Sequence, residues 1–158
     1  MSVDEGERTL FAESVRAHVS AMARLAARLA PAGDRDDIVQ EALSRAWKKR
    51  GQFDPRRGSV RSWLLAITAD QARQVRRRRF LPIRLEPPMA RSSAEERVDL
   101  EEAIKHLPPR QRLAVDCFYF VGLSVAETAA VMHCAEGTVK SCLSDARARL
   151  RQLLEDSE

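Results

Sequence analysis

Apolar positions recur at spacings of three and four along most of the chain. The first such series is Phe11, Val15, Val19, Met22, Ala26 and Leu29, which predicts one amphipathic helix closed by Pro31 and Gly33. Asp34 or Asp36 can cap the next helix, whose apolar face is Ile38, Val39, Ala42, Leu43, Ala46 and Trp47. That face leaves Asp37, Gln40, Glu41, Ser44, Arg45 and Lys48 for solvent or a partner. Gly51, Asp54-Pro55 and Gly58 then mark a loop, and Ser59 opens a helix carrying Val60, Trp63, Leu64, Ile67 and Val75. Residues 81–97 hold three prolines and no sustained period, so they read as a linker and domain boundary. Fully extended at ~3.3 Å per residue, that linker reaches roughly 55 Å, enough to set two modules on separate faces of a long ligand. Short helices at 98–107 and 110–121 follow, the first stopped by Pro108-Pro109 and the second by a left-handed Gly122. No segment alternates with period two, so the chain is read as all-α: two small helical domains on a flexible linker.

The sharpest pattern lies from Gly122 to Leu154. Ser124 and Glu127 have the spacing of a capping box, and Ala126, Ala129 and Ala130 keep that helix thin enough for another to cross it closely. After a break at His133 to Gly137, a second helix places Val139, Leu143, Ala146, Leu150 and Leu153 on one face. Thr138, Lys140, Ser141, Ser144, Arg147 and Arg151 fill the rest. A plain helical hairpin shares this periodicity. The capping, the small-residue seam and the polar second helix together favour a DNA-reading helix-turn-helix.

Charge changes the picture more than composition does. The 158 residues carry a net +4, unevenly spread. Residues 1–80 hold 17 Lys/Arg against 10 Asp/Glu, residues 81–158 hold 10 against 13, and the stretch from Arg45 to Arg79 holds 12 against 2. Four consecutive arginines, Arg76 to Arg79, suit a solvated helix end. With Arg56, Arg57, Arg61 and Arg73 nearby, phosphate binding accounts better for so much like charge.

No run of uncharged residues approaches the ~20 needed to cross a bilayer, and the first residues are polar and acidic, unlike a signal peptide. The expectation is a soluble, cytoplasmic protein. Cys117, Cys134 and Cys142 form no C-x-x-C, and His18, His106 and His133 are scattered. No metal centre, cofactor or catalytic residue is expected. The carboxylate pairs Asp36/Asp37, Glu95/Glu96 and Glu101/Glu102 sit at helix starts, where the dipole already explains them. Trp63 suits a stacking platform, but its spacing with Leu64 and Ile67 favours the core.

In order, DRDDIVQEALSRAWKK, FDPRRGSVRSWLLAITADQARQVRRRR and LPPRQRLAVDCFYFVGLSVAETAAVMHCAEGTVKSCLSDARARLRQLL resemble the bacterial extracytoplasmic-function (ECF) sigma factors. Those are minimal sigma-70-type factors built from a promoter-melting region 2 and a helix-turn-helix region 4. The resemblance implies region 2 at 8–80, a linker at 81–97 and region 4 at 98–155. It implies docking on core RNA polymerase by Asp37, Gln40 and Glu41, with Arg45 and Lys48 nearby. It implies capture of flipped bases of the minus-10 strand by Arg56, Arg57, Ser59 and Arg61 in the loop and Asp70, Arg73, Arg76 and Arg77 on the helix. At the minus-35 element Thr138, Lys140, Ser141 and Ser144 would face bases or phosphates, with Arg110, Arg112 and Arg147 on the backbone. The partners implied are core polymerase, promoter DNA and an anti-sigma protein, with no small-molecule substrate and no membrane insertion.

The chain departs from the family pattern at several positions. His133 stands where the turn usually has Gly, and Ala135 where the recognition helix usually has a capping Ser. Cys142 replaces a common Arg, Asp145 a common basic residue, and Asp70 a frequent Asn. Together with the acidic second half, these predict weak, salt-sensitive minus-35 binding, compensated by tethering to polymerase. Three other readings compete: a stand-alone helix-turn-helix regulator, a helical adaptor or RNA-binding protein, and a nuclease.

Overall fold

The structure is a computed structural model that describes residues 3–30, 33–79 and 100–156. The linker expected at 81–97 lies outside them. The first half consists of α1 (Val3–Arg16), α2 (Val19–Leu29), α3 (Arg35–Lys48), a 3-10 turn at Arg50–Gln52 and α4 (Val60–Arg79). In the second half come α5 (Leu100–Lys105), α6 (Pro109–Val115) with a π-helical continuation (Asp116–Val121), α7 (Val125–Met132) and α8 (Glu136–Glu155). All regular structure among the described residues is helical.

The single first helix expected from the sequence is two. The backbone breaks between Arg16 and Val19, where the His18 N–H donates to the Val15 carbonyl at 2.9 Å in a tight turn. Apolar spacing continues across the break, so periodicity alone cannot show it. α2 is the more deeply seated piece and buries Ala21, Met22, Leu25, Ala26 and Leu29.

Asp34 occupies the N-cap of α3 without a side-chain capping bond. Ile38, Val39, Ala42 and Ala46 are buried, while Leu43 and Trp47 are half-buried. Trp47 is edge-on to Phe11 at 5.3 Å between ring centres, with the Arg50 guanidinium over its face. Ser59 caps α4 as expected, accepting from the Ser62 N–H at 3.0 Å. Trp63 packs against the core and contacts Phe53, in line with its expected structural role.

α4 is the central element. It packs against α2 and α3 on one side and α7 on the other. Its burial is therefore wider than one helical stripe, taking in Leu64, Leu65, Thr68, Ala69 and Ala72. Cys117, Val121, Leu123 and Val131 of the second half join the same apolar cluster as the first-half helices. A second cluster, with Ile104, Leu107, Ala114, Val115, Val139, Leu143 and Ala146, belongs to α5–α8 alone. The two halves are thus packed together through a shared core, not spread apart as the linker's reach suggested.

Candidate nucleic-acid and polymerase interfaces

The helix-turn-helix is built as its sequence requires. Glu127 N–H donates to the Ser124 hydroxyl at 3.1 Å and Ser124 N–H to the Glu127 carboxylate at 3.3 Å, completing the capping box. His133 ends α7 in the left-handed region at φ 52°, the one non-glycine residue with positive φ among those described. Gly122 takes φ 79° at the preceding turn. Ala135 sits at the N-cap of α8 with no side-chain cap, as its missing hydroxyl predicts. Val139, Leu143 and Ala146 bury one face of α8. Thr138, Lys140, Ser141 and Ser144 stand exposed on the other. Arg147 is exposed too and donates to the Tyr119 hydroxyl at 2.9 Å. Arg110 is exposed and Arg112 half-buried.

On α3, Asp37, Gln40, Glu41 and Lys48 form an exposed polar face. Arg45 is half-buried and joins that face to α4, donating to Glu41 at 3.2 Å and to the Gln74 side-chain oxygen at 3.3 Å.

The expected strand-binding residues divide into two sets. Arg56, Arg57 and Ser59 in the loop and Arg77 on α4 are exposed. Arg61, Asp70, Arg73 and Arg76 are half-buried, and the first three of these touch the second half. Arg61 Nε donates to Glu127 at 2.5 Å. Arg73 bridges Asp70 and the Val131 carbonyl, both at 2.7 Å. Asp70 in turn lies 3.0 Å from His133 Nε2. Below the loop is a cavity of about 330 Å³ bordered by Arg57, Ser59, Trp63 and Asp70, with Ala130 and His133 of α7 on its far wall.

Electrostatics follows from this packing. Burial works against the Glu127 carboxylate, but hydrogen bonds from Arg61 and Ser124 outweigh it and hold its pKa below the ordinary value. Burial and the neighbouring Arg112 lower the pKa of Arg76. Burial and Asp116 push the Cys117 thiol up to about 12, which makes it an inert core residue. Cys134 and Cys142 are half-buried free thiols. No cluster of three or more His, Cys, Asp or Glu that would hold a metal occurs among the described residues. None of the described helices is long and apolar enough to cross a membrane.

One residue escaped the sequence reading. Arg28, at the end of α2, donates to Asp116 at 2.7 Å and to both Glu101 oxygens at 2.9 and 3.2 Å. Its guanidinium also lies 3.7 Å above the Phe120 ring. Burial disfavours its charge, yet the two carboxylates more than compensate and raise its pKa. At Asp116 the balance reverses: burial raises the carboxyl pKa despite Arg28. An isolated arginine on a basic half carries no sequence signal for these partners, which lie more than seventy residues away.

A basic helical unit and a helix-turn-helix in one chain define a DNA-binding protein. Residues 14–80 match the family model for sigma-70 region 2, and residues 97–150 the model for sigma-70 region 4. The chain belongs to the ECF RNA polymerase sigma factors, which are transcription initiation factors. It is 35% identical to the ECF RNA polymerase sigma factor SigM of Mycobacterium tuberculosis, covering 94% of this chain and 79% of that protein. Against the RNA polymerase sigma-E factor of Streptomyces coelicolor it is 32% identical over 94% of this chain and 88% of the other. Among solved structures, CnrH in complex with the cytosolic domain of CnrY superposes with a TM-score of 0.69 at 28% identity, covering 98% of this chain and 93% of CnrH. The sigma factor RpoE of Bartonella quintana, solved with the anti-sigma factor NepR, gives 0.65 at 27% identity, covering 92% and 96%.

Proposed function

We propose that the chain binds core RNA polymerase through the exposed face of α3 and directs it to promoters, in the cytoplasm and without catalysis of its own. In this reading residues 8–80 hold the opened minus-10 strand, residues 98–155 read the minus-35 duplex, and residues 81–97 join them. One observation carries it: an uncommitted polar face on α8, Thr138, Lys140, Ser141 and Ser144, shares a chain with the arginine-rich loop and end of α4. Duplex reading and strand holding are thereby supplied by different elements.

Asp37, Gln40, Glu41 and Lys48 face solvent with no apolar work to do, which supports their use against polymerase. Arg56, Arg57, Arg76 and Arg77 supply cations for strand phosphates, and the cavity beside Ser59 and Asp70 gives an unstacked base somewhere to enter. Arg110 and Arg112 on α6 and Arg147 on α8 are the backbone contacts in this reading. RpoE was solved with an anti-sigma factor, which supports a protein of that class as a further partner here.

The test is retention of bacterial core polymerase by the purified chain. Asp37→Arg or Gln40→Ala should weaken retention. Tight, polymerase-independent binding to promoter duplex by a homodimer, with no retention of core enzyme, would contradict the reading and favour a stand-alone regulator.

A further inference from the structure

Four arginines from two distant stretches of sequence converge on one cavity. Arg73 and Arg76 are three residues apart and so share a face of α4. Arg110 and Arg112 come from the first turn of α6, which Pro109 opens. All four line a cavity of about 290 Å³ whose apolar wall is Leu29, Leu113 and Met132. A second cavity of about 280 Å³ adjoins it, with Leu29, Arg76, Arg112 and Asp116 bordering both and Lys105 adding a cation to the second.

Most of this positive charge has no partner among the described residues. Arg76, Arg110 and Arg112 make no hydrogen bond or ion pair with any of them. Arg73 is engaged by Asp70 and the Val131 carbonyl. Asp116, the one acid among the described residues that line the first cavity, already accepts from Arg28 at 2.7 Å. Arg76 and Arg112 are half-buried, and burial together with the nearby Arg112 lowers the Arg76 pKa. Solvated arginines at a helix end spread into water and share no cavity. Half-buried like charges around one space carry a free-energy cost that a bound polyanion offsets.

We propose that the cavity binds a nucleoside diphosphate or triphosphate. Guanidinium forks match phosphate oxygens bidentately, and three uncommitted forks suit a pair of phosphates better than one. Leu29, Leu113 and Met132 offer apolar surface to a base, on which an arginine plane can also stack. The adjoining cavity gives room for the molecule beyond its phosphates. A bound nucleotide also takes Arg73, Arg76, Arg110 and Arg112 away from DNA. That consequence rests on the DNA contacts proposed above, whereas the site rests on the cavity alone.

Isothermal titration calorimetry of the full chain with ADP tests the site, in magnesium-free buffer at about 0.15 M salt, where distant surface charges are screened. One equivalent should bind per chain and saturate. AMP, which lacks the second phosphate, and pyrophosphate, which lacks the nucleoside, should each bind about tenfold or more weakly. Arg76→Gln and Arg112→Gln should each weaken ADP binding by about tenfold or more. Arg110→Gln should act in the same direction, and Arg110 is exposed, so that variant leaves the packing intact. Arg24→Gln and Arg149→Gln remove exposed arginines outside the cavity and should leave the affinity unchanged. Absence of saturable ADP binding overturns the proposal, as does equal weakening by cavity and control variants, which marks diffuse attraction to a basic surface. Pyrophosphate binding as tightly as ADP overturns the nucleotide assignment. Saturating ADP should also weaken the parent's binding of a labelled single-stranded oligonucleotide, and unchanged binding would overturn the competition. A chain that binds ADP but no DNA fails the DNA reading and leaves the site standing.

Discussion

Ala135 leaves the first turn of α8 without the side-chain acceptor that a serine would provide. Ala135→Ser should restore that bond and stabilise the protein by about 1 kcal/mol, read as an increase in urea midpoint at unchanged slope. Cys142 is half-buried against the second core, so an arginine there can lay its stem on apolar surface and extend its guanidinium outward. Cys142→Arg should tighten binding of the full chain to promoter duplex, measured by mobility shift; unchanged affinity would remove the account of weak minus-35 contact. Both positions were legible as departures from a pattern, because capping and helix-face chemistry are local. The partners of His133 and Asp70 were not. Sixty-three residues separate them, and no local rule pairs a turn residue with the middle of another helix.

At the scale of elements, helical periodicity placed α3 and α8 well because each has a solvent face opposite an apolar one, whereas α4 and α7 are packed on more than one side and were marked at their starts by Ser59 and Ser124. It missed the break before α2, since the two short helices share one apolar stripe across a single turn. It also missed the π-helical turn at Asp116–Val121, where the Gly122 and Leu123 N–H groups both donate to the Cys117 carbonyl. α7 carries the most consequential contact. Glu127, its capping residue, is also the partner of Arg61, and its pKa is held below the ordinary carboxylate value. A carboxyl lowered in the folded state adds stability above its unfolded pKa and loses it as pH falls through the folded value. Acid unfolding of the parent should therefore include a component, below the usual glutamate range, that is missing in Glu127→Gln. Stability–pH curves for the two proteins check this, and coincident curves would contradict it.

At the scale of the molecule, the charge asymmetry of the sequence has two uses. In the proposed reading the basic half offers cations to DNA, and within the chain the less basic half supplies acceptors to two of them, Arg61 and Arg73. Composition revealed the first use but not the second, because complementarity between halves exists only once they are packed. Neutralising Arg76 and Arg77 together as Gln should weaken strand binding at all sequences and flatten its salt dependence by about one unit of slope per lost phosphate contact. The central claim is that this chain turns core polymerase into a promoter-specific enzyme. In vitro transcription with bacterial core polymerase, the purified chain and genomic fragments tests it most directly. The account predicts transcripts from defined start sites that disappear without the chain and decline with Asp37→Arg. Core enzyme that initiates at no defined site when the chain is added would contradict it.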